Sequence, residues 1–163
     1  METSPPQFLP IEPDSASIQT HLTMIQGVIV RMSTNSSSCK AWCVTVVSAV
    51  LVIVADKGKP NYAWIAVLPT FIFFLLDVYY LAFEKAFRES YNKFIGKLHR
   101  RELVEDDLYS IFPSGKFNKH QWDAIRSFSV WGFYLCLVAF IGLAYWIALT
   151  PDIPNTPIST PSK

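Results

Sequence analysis

The chain has 163 residues, of which 51% are hydrophobic and only 17% charged. Its apolar residues concentrate in three runs, which is typical of a membrane protein and excludes an ordinary soluble core. The net charge of +1 excludes the broad basic surface that nucleic-acid binding needs, so we expect no nucleic-acid partner.

The first forty residues change from a tail to an amphipathic helix. Residues 1–14 carry four prolines and no hydrophobic period, which predicts a disordered tail. Apolar residues then recur at alternating spacings of four and three, at Ile18, Leu22, Ile25, Ile29 and Met32, and small residues continue the same phase at Ser36, Cys39 and Cys43. We therefore predict one helix from Ser15 into the first span, with a buried seam that changes from bulky to small side chains.

Three membrane spans are predicted, at about residues 37–55, 62–83 and 128–149. The first is short unless Lys40 snorkels to the interface, and the alternative is a re-entrant or interfacial helix. Pro69 is expected to kink the second span. The third is uncharged, carries Trp131 and Trp146 at interfacial depths and is stopped by Pro151.

The remaining residues complete a single helical domain at 15–150. The helix of the second span is expected to continue to about Arg101, within a cytosolic helical segment at 84–127. A turn at residues 113–115 and a short amphipathic helix should end that segment. Residues 151–163 are predicted to form a proline-rich tail. The predicted fold class is an all-α membrane protein whose first two spans form a hairpin extended into a cytosolic antiparallel helix pair.

The distribution of lysine and arginine predicts the orientation. With a cytosolic N-terminus, 11 of these residues lie on the cytosolic side and 3 on the other. The positive-inside rule therefore favours a multi-pass protein of the bacterial inner membrane, with its N-terminus cytosolic and its C-terminus on the opposite side.

Charged residues flank the predicted hairpin at matching depths. Counting outward from residues 58–59 places Lys40 level with Asp77, and Arg31 level with Glu84. Asp77, Glu84 and Arg88 share one helical face. Arg31 and Lys40 lie on opposite faces of their helix, so only one of them can face Asp77 and Glu84; the other must meet lipid headgroups, the third span or a second subunit. This mismatch favours a homo-oligomer.

The role of Asp77 stays open at this point. An ionised carboxylate at the bilayer centre costs about 2.5 to 3.5 kcal/mol on insertion scales, so such residues are paired or functional. Structural pairing, a pore-lining or gating role and a proton-relay role are the three alternatives. Glu84 and Arg88 are four residues apart and form, in the simplest interpretation, a pair on the helix surface.

An aromatic stripe runs beside these charges, made of Tyr80, Phe83, Phe87, Tyr91 and Phe94. Such a stripe outside the membrane needs a cover, and the helix from Ile18 to Met32 is the expected one, with a second subunit or a partner protein as the alternative. His21, His99 and His120 lack ligand spacing, and the cysteines lack a C-x-x-C motif, so no metal, cofactor or enzyme activity is predicted.

Two strings, IQGVIVRMSTNSSSCKAW at 25–42 and LDVYYLAFEKAFRESYNKF at 76–94, resemble a group of small three-span bacterial membrane proteins. In these, an R-x3-N-S…K-x-W pattern enters span one and a D-x-Y-Y-L…E-x3-R pattern leaves span two. Some of them are associated with bacterial immune or signalling systems. The resemblance implies roles for Arg31, Asn35, Ser36, Lys40, Trp42, Asp77, Tyr80, Glu84, Arg88 and Tyr91. We call Arg31, Asn35, Lys40, Asp77, Glu84 and Arg88 the polar seam.

The leading functional hypothesis is a non-enzymatic membrane effector or sensor, with antiviral defence implied by the resemblance. It would oligomerise and perturb or gate the membrane when a cytosolic protein or small molecule signals to it. The alternative is a structural membrane anchor or scaffold for a soluble partner protein.

Overall fold

The structure, a computed structural model, describes residues 15–57 and 60–149. The tails predicted at 1–14 and 151–163 and the turn at 58–59 lie outside these residues. The fold is all-helical, as predicted, with four α-helices: α1 (Ala16–Lys57), α2 (Val67–Arg100), α3 (Phe117–Ile125) and α4 (Phe128–Leu149). Short 3-10 helices occupy Pro60–Ala66 and Glu105–Asp107.

Three helical stretches are long and apolar enough to cross a membrane, judged by length and composition alone. They are Ala16–Lys57, Asn61–Arg100 and Phe128–Ile147. The first two are about twice as long as one bilayer crossing of ~20 residues requires. Each of them therefore has a polar half outside its apolar window.

The predicted helix from residue 15 into the first apolar run is confirmed as the 42 residues of α1. Its predicted seam faces inward along the whole length. Ile18, Ile25, Ser36, Cys39 and Cys43 are buried, and Leu22, Ile29 and Met32 are half-buried. The change from bulky to small side chains lets the neighbouring backbone come closer at the apolar end.

The start of α2 differs from the prediction. Residues from Pro60 to Ala66 form a 3-10 helix, so the α-helix begins at Val67 rather than at Tyr62. Pro69 falls in the first turn of α2, where the missing amide hydrogen of a proline does little harm. A kink was expected at Pro69. The structure instead changes from a 3-10 helix to an α-helix just before the proline.

The other end of α2 lies one residue from the predicted one. Arg101 adopts a left-handed conformation with φ of 57°. Its amide and that of Glu102 donate hydrogen bonds to the carbonyls of Leu98 and Lys97, at 3.1 and 3.0 Å. These two hydrogen bonds end the helix, and the chain then turns back toward the apolar helices.

α1 and α2 pack side by side, and residue numbers rise along one as they fall along the other. Ile18 packs with Phe94 in a small core, the Gln26 amide donates a hydrogen bond to the Tyr91 hydroxyl at 3.3 Å, and Ser36 reaches Asp77. The first and last of these contacts are 18 residues apart on α1 (18 to 36) and 17 apart on α2 (77 to 94), so the two helices rise by nearly equal lengths between them.

A second core is shared by all four helices, and Cys43 and Val47 are the buried residues that α1 contributes to it. Val78 and Ala82 pack there with Ala124 of α3 and with Val130 and Tyr134 of α4. The rings of Phe74 and Tyr134 meet edge to face with centroids 5.3 Å apart, which fixes the depth of α4 against α2. α2 is thus the central helix that packs against α1, α3 and α4, and Cys43 and Val47 of α1 share one apolar core with Val130 and Tyr134 of α4.

The segment between α2 and α3 is tied to the C-terminal half of α2. Ser90 donates a hydrogen bond to the carbonyl of Phe112 at 2.6 Å, and the Ser114 amide donates one to the carbonyl of Ala86. Gly115, in the predicted turn, has φ of 88°, and a Cβ there would meet Nε2 of His120 at 2.6 Å. Only glycine fits this turn, because both the backbone and the space exclude a side chain.

Candidate functional site

Asp77 is the centre of the most unusual polar cluster in the described residues. Its side chain is completely buried between α1 and α2. The Ser36 hydroxyl donates a hydrogen bond to Oδ1 at 2.5 Å, and Nζ of Lys40 lies 2.6 Å from Oδ2. The Lys40–Asp77 pairing expected from depth counting is therefore present.

Helical phase brings Ser36 and Lys40 to the same carboxylate. They are one turn apart on α1, so both point toward α2, and Nζ of Lys40 also donates a hydrogen bond to the Ser36 hydroxyl at 3.3 Å. The Lys40 side chain is 19% exposed, so it reaches the buried acid from the edge of the helix pair. The sequence indicated Ser36 as a small residue of the buried seam and as part of the resemblance. It did not predict that the hydroxyl donates a hydrogen bond to Asp77.

Two buried side-chain oxygens among residues 15–57 and 60–149 lack a hydrogen bond: Oδ2 of Asp77 and the Tyr134 hydroxyl. The contact of Oδ2 with Lys40 is an ion pair by distance but is not aligned as a hydrogen bond. Tyr134, on α4, lies in the core that also contains Cys43 of α1 and Val78 of α2. Sequence reasoning missed Tyr134, although a phenol inside an uncharged span was a usable signal.

Depth counting placed Arg31 level with Glu84, but in the structure Glu84 pairs with Arg88 instead. Nε of Arg88, one turn along α2, donates a hydrogen bond to Oε1 of Glu84 at 2.8 Å. Arg31 is exposed, and no carboxylate of the part of the chain described here lies within ion-pair distance of it. Arg88 is the cation nearest to Glu84, because residues four apart on one helix lie side by side whatever the position of the neighbouring helix. Of the two cations on α1, only Lys40 faces α2, as helical phase required.

Asn35 is half-buried and is not among the hydrogen-bond partners that the structure gives Asp77. The polar seam is thus three separate parts: a buried cluster of Ser36, Lys40 and Asp77, a pair of Glu84 and Arg88 on α2, and Arg31 with Asn35 on an outer face of α1. Only the first joins two helices.

The aromatic stripe is covered to different degrees along α2. Phe94 is buried beneath Ile18 and His21, so α1 covers this end as expected. Tyr80, Phe83 and Phe87 are only half-buried, and Arg31 lies beside them in a groove. The expected cover is therefore incomplete near the apolar half of the protein.

His21 holds the segment after α2 against α1. Its ring lies 4.3 Å from that of Phe94, and Nδ1 accepts a hydrogen bond from the Tyr109 amide at 2.9 Å. Burial lowers the pKa of His21, and the negative charge of Asp107 acts in the opposite direction. A neutral ring is needed here, because a protonated Nδ1 would face another donor.

A polar cavity of about 210 Å³ lies beside His21. Its lining includes Ser90, Lys93, Lys97, Asp107 and Ser110. Both ammonium groups are paired: Lys97 lies 2.7 Å from Asp107, and Lys93 lies 2.7 Å from Glu89. The hydrogen bond from Lys93 lowers the pKa of Glu89, so this carboxylate stays charged.

No family model, curated protein or solved structure matches this chain. Among the residues that the structure describes, no three His, Cys, Asp or Glu side chains are grouped so as to hold a metal ion.

The buried cluster of Ser36, Lys40 and Asp77 can couple the positions of two helices. Separating a lysine from a carboxylate in apolar surroundings leaves two charges without compensation, which costs several kcal/mol per ion. Any sliding of α1 along α2 must therefore break this contact as a unit. The cluster resists small displacements and gives the helix pair one preferred register.

Proposed function

We propose that this chain is a multi-pass protein of the bacterial inner membrane. Its first two spans form a hairpin that continues into a cytosolic helix pair, with the N-terminus cytosolic and the C-terminus on the opposite side. The excess of lysine and arginine on the cytosolic side, 11 against 3, supports this orientation.

Exposed aromatic residues support the membrane placement. Tyr79 and Trp131 lie at one end of the apolar bundle, and Trp64 and Trp146 at the other, each about half exposed. Tryptophan and tyrosine concentrate at the two interfaces of a bilayer. The rings of Trp64 and Tyr145 are 5.8 Å apart, so α4 and the 3-10 helix before α2 reach the same depth.

The proposed role is that of a non-enzymatic effector or sensor, which oligomerises and gates the membrane when a cytosolic signal arrives, in antiviral defence. The observation that carries it is the fully buried Asp77 held by Ser36 and Lys40 between the first two spans. Structural, gating and proton-relay roles were open for Asp77. Its position between two helices that both leave the membrane favours gating.

The continuity of α1 supplies a route from signal to gate. One uninterrupted helix carries His21 beside the cytosolic cavity and Lys40 beside Asp77. A ligand or partner that displaces the cytosolic half of α1 would pull on the ion pair directly. Three spans are too few to enclose an aqueous pore, so gating requires several copies of the chain.

The test is the membrane potential of cells that express the protein, followed with a voltage-sensitive dye. We expect expression to depolarise cells, and Asp77→Asn to abolish this, because the amide keeps the shape of the side chain and removes the charge. The matched control is Asp106→Asn, which removes one charge from an exposed cytosolic position and should leave depolarisation within about twofold of the unchanged protein.

A structural anchor is the second candidate, and one observation favours it. Tyr109, Phe112 and Trp122 are 59%, 75% and 66% exposed outside the apolar stretches, and large exposed aromatic residues are typical of docking surfaces. If the potential never changes and a soluble protein co-purifies, the gating proposal fails and the anchor stands.

A further inference from the structure

A groove between α1 and α2 opens on the side away from α4. It has a volume of about 540 Å³ and is lined chiefly by Arg31, Met32, Tyr80, Phe83, Phe87 and Ile111. Among the residues that the structure describes, Arg31 is the only charged one that lines the groove, and none of these lining side chains is acidic. The groove is therefore an aromatic surface with one positive charge.

Arg31 lies at the level where the chain enters the apolar bundle. Ser36 contacts Asp77 and Gln26 contacts Tyr91, so Arg31, midway between them, is level with Glu84. The contact of Phe74 with Tyr134 places Phe128, the first residue of α4, near the level of Tyr80. At ~1.5 Å per residue, Arg31 is only about one turn outside the start of α4. In the proposed membrane placement this is the depth of the lipid headgroups.

Apolar side chains continue from the groove into the membrane. On α2, Ile72, Leu76 and Tyr79 are 48%, 40% and 46% exposed, below Phe83 on one face. On α1, Trp42 is 63% exposed and lies three turns from Arg31 on nearly the same face, with Asn35 between them. The path from Arg31 to Trp42 is about 16 Å long, which suits part of an acyl chain.

We propose that this groove binds one anionic phospholipid, with its phosphate on Arg31 and an acyl chain along Trp42, Ile72 and Leu76. The guanidinium binds phosphate oxygens in a bidentate manner. An anionic headgroup fits better than a zwitterionic one, because the lining offers no carboxylate for a choline or ethanolamine. This inference rests on the membrane placement proposed above and does not depend on gating.

Trp42 provides the readout. Purified protein in mild detergent is titrated with dibrominated phosphatidylglycerol or dibrominated phosphatidylcholine, and tryptophan quenching is followed. The part of the quenching that is lost in the Trp42→Phe variant is the signal from the groove. We expect half-quenching at an about tenfold lower concentration of the anionic lipid, and Arg31→Ala to remove that preference. Arg31→Lys should keep part of it, since it keeps the charge without the bidentate geometry.

The matched control is Arg126→Ala, which removes an exposed arginine just before α4, on the other side of α2. It should leave the preference unchanged. Equal quenching by both lipids, or equal losses in Arg31→Ala and Arg126→Ala, overturns the proposed site. Carbonate extraction of membranes from the expressing cells distinguishes a failure of the lipid site from a failure of the membrane placement. Release of the chain would refute the membrane placement, whereas retention with no effect of Arg31 would refute the lipid site alone.

Discussion

At the scale of residues, the central feature is a buried carboxylate that has two partners on one neighbouring helix. Depth counting and helical phase were enough to predict that Lys40 meets Asp77, because both are set by chain geometry. They did not reveal the hydrogen bond from Ser36, since hydroxyl direction depends on the final distance between the helices. Tyr134 could not be placed at all, because the rotation of α4 about its axis is not encoded in an evenly apolar run.

We predict that the Lys40–Asp77 pair is non-additive. Lys40→Met or Asp77→Leu alone should each lower the free energy of unfolding by about 3–5 kcal/mol, because each leaves an unpaired buried charge. The double variant should recover most of this loss, since two apolar side chains suit the site. Reversible unfolding in mixed micelles gives the required free energies.

The control is Arg88→Met, which breaks the pair with Glu84. Arg88 has a side chain 61% exposed, so solvent screens the interaction and the loss should stay below about 1 kcal/mol. Additive effects of the two single changes at Lys40 and Asp77 would show that their charges do not act on each other.

At the scale of elements, the N-terminal seam was the most predictable part. Its 4-3 spacing fixed which side of α1 is buried over eight positions, because a helix has a constant angular step. The 3-10 helix before α2 was not predictable, since the sequence offers Pro69 as a break but not the side on which the backbone changes. The incomplete cover of the aromatic stripe was not predictable either: on α1, Val28, Arg31 and Met32 line the groove beside Phe83 and Phe87 without closing it.

The contact between α1 and the segment after α2 should depend on pH. Burial lowers the pKa of His21 below its ordinary value of 6.5. The unfolded chain therefore binds more protons than the folded one, and stability falls as pH drops below about 6.5 toward the folded pKa. Above about pH 6.5, His21 adds no pH dependence to the free energy of unfolding. Where it does, the free energy can change by at most about 1.4 kcal/mol per pH unit, because one proton is involved.

Unfolding measured between pH 7.5 and 5 tests this expectation. His21→Leu should flatten the profile, whereas His99→Leu, at an exposed position, should not. An unchanged profile in His21→Leu would contradict the assignment of the acid sensitivity to His21.

At the scale of the whole molecule, the order of helices across the bundle follows from small residues on α2. Val78 and Ala82 let α3 and α4 approach α2, while Asp77 and Phe94 meet α1, and Cys43 and Val47 bring α1 into the same core as α4. The all-helical fold and its three long apolar stretches were readable from composition and period alone. The hydrogen bond from Lys85 of α2 to the carbonyl of Asp123 of α3 could not be predicted from the sequence, because its acceptor is a backbone group.

The proposed orientation predicts which side of the membrane each polar segment faces. In a background with Cys39, Cys43 and Cys136 replaced by alanine, Asp56→Cys should react with an impermeant maleimide in spheroplasts. Asp106→Cys should react only after permeabilisation. Both positions are exposed, so a lack of labelling would reflect the membrane and not burial. Labelling of Asp106→Cys in sealed spheroplasts would reverse the topology.

The contact between Ser36 and Asp77 also sets an order of events during biosynthesis. The two residues are 41 positions apart, so at roughly 5–20 residues per second the acid emerges from the ribosome about 2–8 s after the serine and its neighbour Lys40. Until then the nascent first span carries a lysine with no counter-charge. In the proposed membrane placement, the first helix would therefore be an incomplete insertion signal, and its stable residence in the bilayer would await translation of the second.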